Sequence, residues 1–207
     1  MTRLMAVGLL LLGAFFLLGA AVSGHTPPAV DEFVARHLGA DWQDTTGQVA
    51  NGISYVLGPV LPGVAALALV VVALLMRGRP GLMSLLLRCV LLLAACRAVS
   101  LVKPLFDRQR PRDYPDFSFP SGHVVSVASV AFTGVVLCAW LARRYLRLVV
   151  AIAVAAVVVI ALCRMLLDVH WLTDVFGGAL GVVGVGLLVA PPLRLLPARA
   201  PVAATAA

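Results

Sequence analysis

Long apolar runs alternate with short polar breaks along this chain. Six runs approach or exceed the ~20 apolar residues a helix needs to cross a bilayer. They fall at about 4–22, 53–76, 81–102, 123–141, 148–167 and 175–193. In lipid a spanning segment must satisfy its own backbone, which a helix does unaided. The pattern predicts an all-α, polytopic membrane protein: a six-span helical bundle over residues 1–196 and a tail, 197–207, that is Ala/Pro-rich and read as disordered. Composition agrees: the chain is 62% hydrophobic with a mean hydropathy of +1.05, where a soluble domain is roughly half apolar. The connections leave no room for a soluble domain. The longest, from His25 to about Asn51, places Val30, Phe33, Val34 and Leu38 at helical spacing. It is read as a short amphipathic helix on the outer leaflet, over the mouth of a site or a lateral lipid entrance. His25 and His37 are read as interfacial.

Charge orients the bundle. The segments assigned inside carry Arg3, Arg77, Arg79, Arg143, Arg144, Arg147, Arg194 and Arg199, and no acid. All nine acids fall on the other side. The Lys/Arg bias puts both termini in the cytoplasm. The first run, with Arg3 and small residues at Ala21–Gly24, also fits a signal peptide; it is read as a retained span, which completes the even count. The net charge of +7 therefore reports topology, and no nucleic-acid motif competes with it. Cys89, Cys96, Cys138 and Cys163 lie within the spans without a CxxC pair and are read as small buried residues.

One loop breaks the charge rule. "KPLFDRQRPRDYPDF" holds Lys103, Arg108, Arg110 and Arg112 on the outer side, and Lys103 is the only lysine of the chain. Such a cluster reads either as a solvated loop balanced by Asp107, Asp113 and Asp116 or as an anion site. Arg offers a planar fork for phosphate and Lys a compact charge. Just beyond stands Phe119-Pro120-Ser121-Gly122-His123. Pro120 stops any preceding helix, and Ser121 suits the N-cap of the fourth span. The free amides at that start attract anions, Gly122 admits an oxyanion close to the backbone, and His123 stands at the same mouth.

The third cluster, "CRMLLDVHWLTDVFGG", ends the fifth span with Arg164, His170 and Asp174. Four residues apart, His170 and Asp174 share a face if helical. A carboxylate on Nδ1 would leave Nε2 free as a nucleophile. Asp168 is expected to pair with Arg164 at i,i+4. All three clusters reach the same face under a topology assigned without them. Their chemistry is that of phosphoryl transfer. No cluster offers metal-ligand spacing, so neither metal nor cofactor is expected, and Lys and Arg would neutralise the phosphate oxygens.

At these residues the sequence resembles the type 2 phosphatidic acid phosphatase superfamily, the lipid phosphate phosphatases. Its motifs K-x6-RP, PSGH and SR-x5-H-x3-D read here as Lys103 to Arg110-Pro111, Pro120-Ser121-Gly122-His123, and Cys163-Arg164 to His170 to Asp174. Cys163 replaces the family serine, which weakens any phosphate contact from that position. The resemblance implies that His170 attacks phosphorus to form a phosphohistidine, with Asp174 orienting it. His123 would protonate the leaving oxygen and then assist water. Lys103, Arg110, Ser121, Gly122 and Arg164 would hold the phosphate. Arg108 and Arg112 are left to a second phosphate, a headgroup or the loop itself.

Within the third span, Arg88 is read as snorkelling inward and Arg97 as pairing with an acid near the site. Gly177 and Gly181 form a small-xxx-small pattern read as packing inside the bundle. The expected function is a metal-independent integral membrane lipid phosphatase with an extracytoplasmic site. By family analogy its substrate is an undecaprenyl-type diphosphate, with phosphatidylglycerophosphate or phosphatidic acid as alternatives. A lipid phosphotransferase, a vanadate-dependent haloperoxidase and a non-enzymatic lipid-phosphate binder are the competing classes.

Overall fold

The structure is a computed structural model that describes residues 2–24, 26–39 and 42–196. His25 and the tail 197–207 lie outside the described residues. The helices are α1 (Thr2–Val22), α2 (Ala29–Leu38), α3 (Thr45–Tyr55), α4 (Leu61–Leu75), α5 (Pro80–Arg97), α6 (Gly122–Leu141), α7 (Leu146–Leu166) and α8 (Leu172–Val189). No strand forms among the described residues. Six helical stretches are long and apolar enough to cross a membrane. This is an all-α multi-pass membrane protein.

The second stretch begins well before its apolar run. Asp44 caps α3 by accepting from the Gly47 N–H at 2.7 Å, so the helix starts in polar sequence and enters the apolar run in mid-course. Between α3 and α4 the helix widens into a π turn, Val56–Val60, where the Leu61 N–H reaches Val56 O. Pro59 has no N–H to give the α pattern there. At the other end of α5, a 3₁₀ segment over Ala98–Leu105 carries the chain on to Lys103. Helix α8 stops at Val189, short of the apolar run's end, because Pro191 and Pro192 follow. Trp140 Nε1 then holds the Leu195 carbonyl at 2.8 Å.

The core is held by close helix contacts. Glycines on α8 let its neighbours approach: a Cβ at Gly181 would meet Phe15 and Val99, and one at Gly184 would lie 3.0 Å from the Leu12 backbone nitrogen on α1. Gly177 faces the Phe119 ring. The small-residue face is thus filled from within the chain. Phe15, Phe106 and Phe119 cluster beneath the polar loop, with centroids 5.0–5.9 Å apart.

The amphipathic helix of the first long connection is present as α2, but its faces are divided otherwise than the pattern implied. Val34 and Leu38 pack on the α6–α7–α8 cluster, while Val30 and Phe33 are exposed. The acid Asp31, on the nominally polar side, is fully buried. His37 is exposed and bonds the Phe33 carbonyl.

Candidate active site

The Lys103–Phe119 loop, the start of α6 and the α7–α8 turn meet at one end of the bundle. They line a cavity of about 550 Å³ with Lys103, Arg110, Tyr114, Asp116, Gly122, His123, Arg164 and His170, joined by Arg97, Ser126 and Gly58. Of the residues expected from sequence, Lys103, Arg110, Gly122, His123, Arg164 and His170 therefore come together directly. Ser121 and Asp174 lie just behind this lining.

His170 does not sit in a helix. It belongs to the bend before α8, and Asp174, in the first turn of α8, reaches back to it. Asp174 Oδ2 accepts from the Trp171 N–H at 2.8 Å and lies 3.3 Å from His170 Nδ1. Arg110 donates an N–H to His170 Nε2 at 3.2 Å. With a donor on Nε2 and a carboxylate on Nδ1, the proton resides on Nδ1. The lone pair of Nε2 meets Arg110 at the cavity wall, so a phosphorylated ligand that draws the guanidinium onto its own oxygens would free it. Burial, and then the charges of Arg110, Arg164 and Lys103, hold the imidazole well below its ordinary pKa, so it is neutral at pH 7.

Asp174 is itself enclosed. Ser118 Oγ donates to it, and Arg108 donates to Oδ1 at 2.5 Å. Arg108 is 2% exposed and also bonds Asp31 at 2.6 Å and Thr173 Oγ1 at 2.7 Å. Asp31 in turn accepts from the Thr173 N–H at 3.0 Å, at the start of α8. A second phosphate or a headgroup therefore has no access to Arg108. It is the centre of a buried brace from α2 through Arg108 to the partner of His170. Sequence reasoning missed Asp31, Thr173 and Ser118. An acid in the first turn of an amphipathic helix reads as a solvated helix-start charge, and nothing local marks it otherwise. Arg112 stacks over Trp42 at 5.3 Å, away from the cavity lining.

The cavity cations divide by their partners. Lys103 donates to Asp116 at 2.6 Å and to the Phe117 carbonyl at 2.9 Å. Arg110 bonds the Asp116 and Val169 carbonyls at 2.7 and 2.8 Å and stacks on Tyr114 at 4.5 Å. Desolvation pulls the Asp116 carboxyl up, but the Lys103 hydrogen bond and the charges of Lys103 and Arg110 hold it below the usual range. Arg164 is different. It is 4% exposed, its Nε has no partner, and no acid pairs with it among the described residues. The expected Asp168–Arg164 pair does not form: Asp168 adopts a left-handed backbone at φ 53° as the chain leaves α7, which turns it off the helical register. Burial raises the Asp168 carboxyl pKa, against the charge of Arg112.

Ser121 occupies the N-cap position of α6, but its side chain makes no capping bond. Its Oγ is buried without a partner. The start of α6 is pinned instead by the Ser121 N–H, which donates to the Asp174 carbonyl at 3.1 Å. Gly122 faces Lys103: an added Cβ would lie 3.8 Å from Lys103 Cε and fill that space. His123 lies against the π turn, where a Cβ on Gly58 would overlap its ring, 2.8 Å from Nε2. Arg97 pairs with no acid among the described residues, contrary to expectation. It donates to the Gly122 carbonyl at 3.3 Å. Arg88 bonds Ser84 at 2.7 Å, one turn nearer the start of α5.

Four cations around a cavity, with a neutral imidazole at its wall and a second imidazole beside it, are an arrangement chemically suited to a phosphorylated ligand. The PAP2 superfamily model matches residues 81–191, more than half of the chain, and the chain belongs to that superfamily. It is a membrane phosphatase. The fold is similar to the "first transmembrane PAP2 type phosphatidylglycerolphosphate phosphatase from Bacillus subtilis", a crystal structure. The TM-score is 0.71 at 23% identity, over 90% of this chain and 94% of that one. No curated protein sequence matches.

Proposed function

We propose that the protein hydrolyses a lipid phosphate or diphosphate through a phosphohistidine on His170, without a metal. The observation that carries this is His170 itself: neutral, oriented by Asp174 at 3.3 Å, with Nε2 at the wall of a cavity of cations, where Arg110 moves from the ring nitrogen to the phosphate as the ligand binds. Nε2 attacks phosphorus as the lipid oxygen departs, and the transferred phosphoryl group stays on nitrogen. Asp174 accepts the Nδ1 hydrogen bond and stabilises the charge that develops on the ring. Lys103, Arg110, Arg164, Ser121 Oγ and the Gly122 amide hold the phosphoryl oxygens, with Arg164 and Ser121 supplying groups that have no protein partner. His123 gives its proton to the leaving oxygen, then takes one from the water that attacks the phosphohistidine. A general acid of this kind contributes roughly 10²–10⁴-fold.

The site is placed on the extracytoplasmic face of the plasma membrane, with both termini cytoplasmic. The arginines at the opposite end of the bundle, Arg77, Arg79, Arg143 and Arg144, support that orientation. An undecaprenyl-type diphosphate is the favoured substrate. Phosphatidylglycerophosphate is the second reading, since the structural neighbour is named for that activity. Phosphatidic acid remains an alternative.

The test is phosphate release in detergent with EDTA present, on C55 diphosphate, phosphatidylglycerophosphate and phosphatidic acid, for wild type and His170→Ala. Turnover that survives EDTA and falls by about 10⁴-fold or more in the variant is expected. Turnover abolished by EDTA, or retained by His170→Ala, would overturn the mechanism. Lipid product that forms only with an added alcohol acceptor would identify a transferase. Binding without any turnover would identify a binder.

A further inference from the structure

We infer that Arg97 is the anchor of a second anionic subsite, one that takes a phosphate on the lipid side of the phosphate being transferred. The inference rests on the phosphatase reading above and deepens it: the substrate class is a lipid carrying two phosphates.

Arg97 is the last residue of α5, inside a membrane-crossing stretch. A guanidinium there is costly without a counter-charge. Every other cation that reaches deep into this end of the bundle is accounted for. Arg108 has Asp31 and Asp174. Lys103 and Arg110 share Asp116. Arg164 stands beside His123 and His170, where the transferred phosphate sits. Arg97 has a single long hydrogen bond, 3.3 Å, to the Gly122 carbonyl. That carbonyl already accepts from Ser126 Oγ at 2.9 Å. No carboxylate pairs with Arg97 among the described residues, yet it lines the cavity.

The charge count of the lining points the same way. Four cations, Arg97, Lys103, Arg110 and Arg164, face one carboxylate, Asp116. A phosphate monoester brings about two negative charges, which leaves an uncompensated cation; a second phosphate on the same ligand supplies the missing charge.

Position selects which phosphate it is. Arg97 precedes Lys103 by six residues on one continuous helical stretch, so its backbone lies about 10 Å deeper along the axis, and its guanidinium reaches the Gly122 carbonyl, on the inner side of the amide that holds the transferred phosphate. Lys103, Arg110 and His170 mark the outer end. The lipid must leave toward the membrane, past His123 and then Arg97. The group that meets Arg97 is therefore the one joined to the leaving oxygen. In a lipid diphosphate that is the inner phosphate. In a phosphatidylglycerophosphate it is a glycerol carbon, with the phosphodiester at the far end of that glycerol as the next anionic group. In phosphatidic acid it is uncharged. Arg97 would hold the departing phosphate beside the proton donor, with Ser126 on the same wall.

The experiment has two arms on the full-length protein in detergent. In the first, binding of methylenediphosphonate is compared with that of methylphosphonate, for wild type, Arg97→Gln and Arg97→Lys. Wild type is expected to prefer the bisphosphonate. Arg97→Gln should cut that preference roughly ten- to hundredfold, as for a lost hydrogen bond to a charged group, and Arg97→Lys should keep most of it. No preference in wild type, or an equal loss for both ligands in Arg97→Gln, would sink the subsite. If Arg97→Gln does not survive purification, wild type alone decides: phenylglyoxal modification of Arg97, read by mass spectrometry, should be blocked by the bisphosphonate and not by methylphosphonate. Equal protection by both would count against it.

The second arm measures the ratio of kcat/KM for each two-phosphate lipid to that for phosphatidic acid. Arg97→Gln should lower that ratio for polyprenyl diphosphate, for phosphatidylglycerophosphate or for both, and whichever falls identifies the source of the second phosphate. An unchanged ratio for both is the contrary result. Should no lipid turn over while the bisphosphonate preference still depends on Arg97, the phosphatase reading fails and the subsite stands.

Discussion

Two arginines at the same end of the bundle are almost equally buried, yet they belong to different kinds of structure. Arg108 is 2% exposed and its bonds end on two carboxylates and a hydroxyl. Arg164 is 4% exposed and its Nε has no partner at all. A buried charge with partners is part of the scaffold, and removing one member strands the others. A buried charge without partners is held there by the rest of the fold at a cost, and its complement arrives with the ligand. Here the first kind bonds the carboxylate beside His170, and the second lines the cavity, where the proposed mechanism puts the phosphate. The same distinction runs through the hydroxyls: Ser118 is spent on Asp174, while Ser121 Oγ is free.

The sharpest way to break this contrast is to remove each guanidinium in turn. Arg164→Leu should lower kcat/KM by roughly 10²–10³-fold, the scale of a lost oxyanion donor, with thermal stability in detergent equal to or above wild type. Arg108→Leu should destabilise by about 3–5 kcal/mol, since it leaves Asp31 and Asp174 buried without a counter-charge, and activity should fall both with the folded fraction and through the loosened Asp174. Equal stability of the two variants, read by thermal unfolding, would erase the distinction.

A smaller effect tests the contact between His123 and the π turn. In Gly58→Ala the new methyl displaces the imidazole. Turnover of alkyl phosphates, whose leaving oxygen needs a proton, should drop roughly 10–100-fold. Turnover of p-nitrophenyl phosphate, which needs no acid, should change far less. Parallel losses on both substrates would mean that the turn matters for packing and not for the acid.

The pH profile is the next increment. His170 binds its proton less readily in the folded protein than in the unfolded chain, where its value is near 6.5. Folding is therefore fully supported by this group above about pH 6.5 and loses that support as pH falls below it. His170 stays unprotonated over the same range, so, if it is the nucleophile as proposed, the acid limb of kcat/KM assigned to it should lie below pH 6.5. A limb at or above that value would mean that the surrounding cations do not act on the ring.

The smallest expected change is at Asp116, whose carboxylate already occupies Lys103 and Arg110. Asp116→Asn should tighten inhibition by orthophosphate by a few-fold, because the ligand no longer competes with a resident anion. Weaker inhibition would show that the carboxylate organises the cations more than it competes for them.

How far the sequence reached follows from the range of the interactions. The six helical stretches were legible because apolar length is a local property. So were the residues around the cavity, since each lies within a short segment of fixed spacing. The brace was not. Arg108 and Arg110 stand two apart in "DRQRPR", and nothing in that hexapeptide says which turns inward. The decision is made by Asp31, far away in sequence, through a tertiary contact. The helical reading of His170 and Asp174 placed them correctly for a different reason: Asp174 reaches back from the first turn of α8 to a residue that precedes the helix. Gly58 gave no signal because its role is the space it leaves for a ring from another helix.

The packing of α8 against α1 also has a consequence for biogenesis. Helix α1, made before the other described helices, rests its glycine and phenylalanine face against α8, made after them. At about 5–20 residues per second, the 207-residue chain keeps α1 waiting on the order of ten seconds or more for that neighbour. Asp174 arrives on the same late helix. The nascent protein therefore makes Arg97, Lys103, Arg110 and Arg164 before the carboxylate that lies against His170 exists, and the proposed catalytic centre waits for α8.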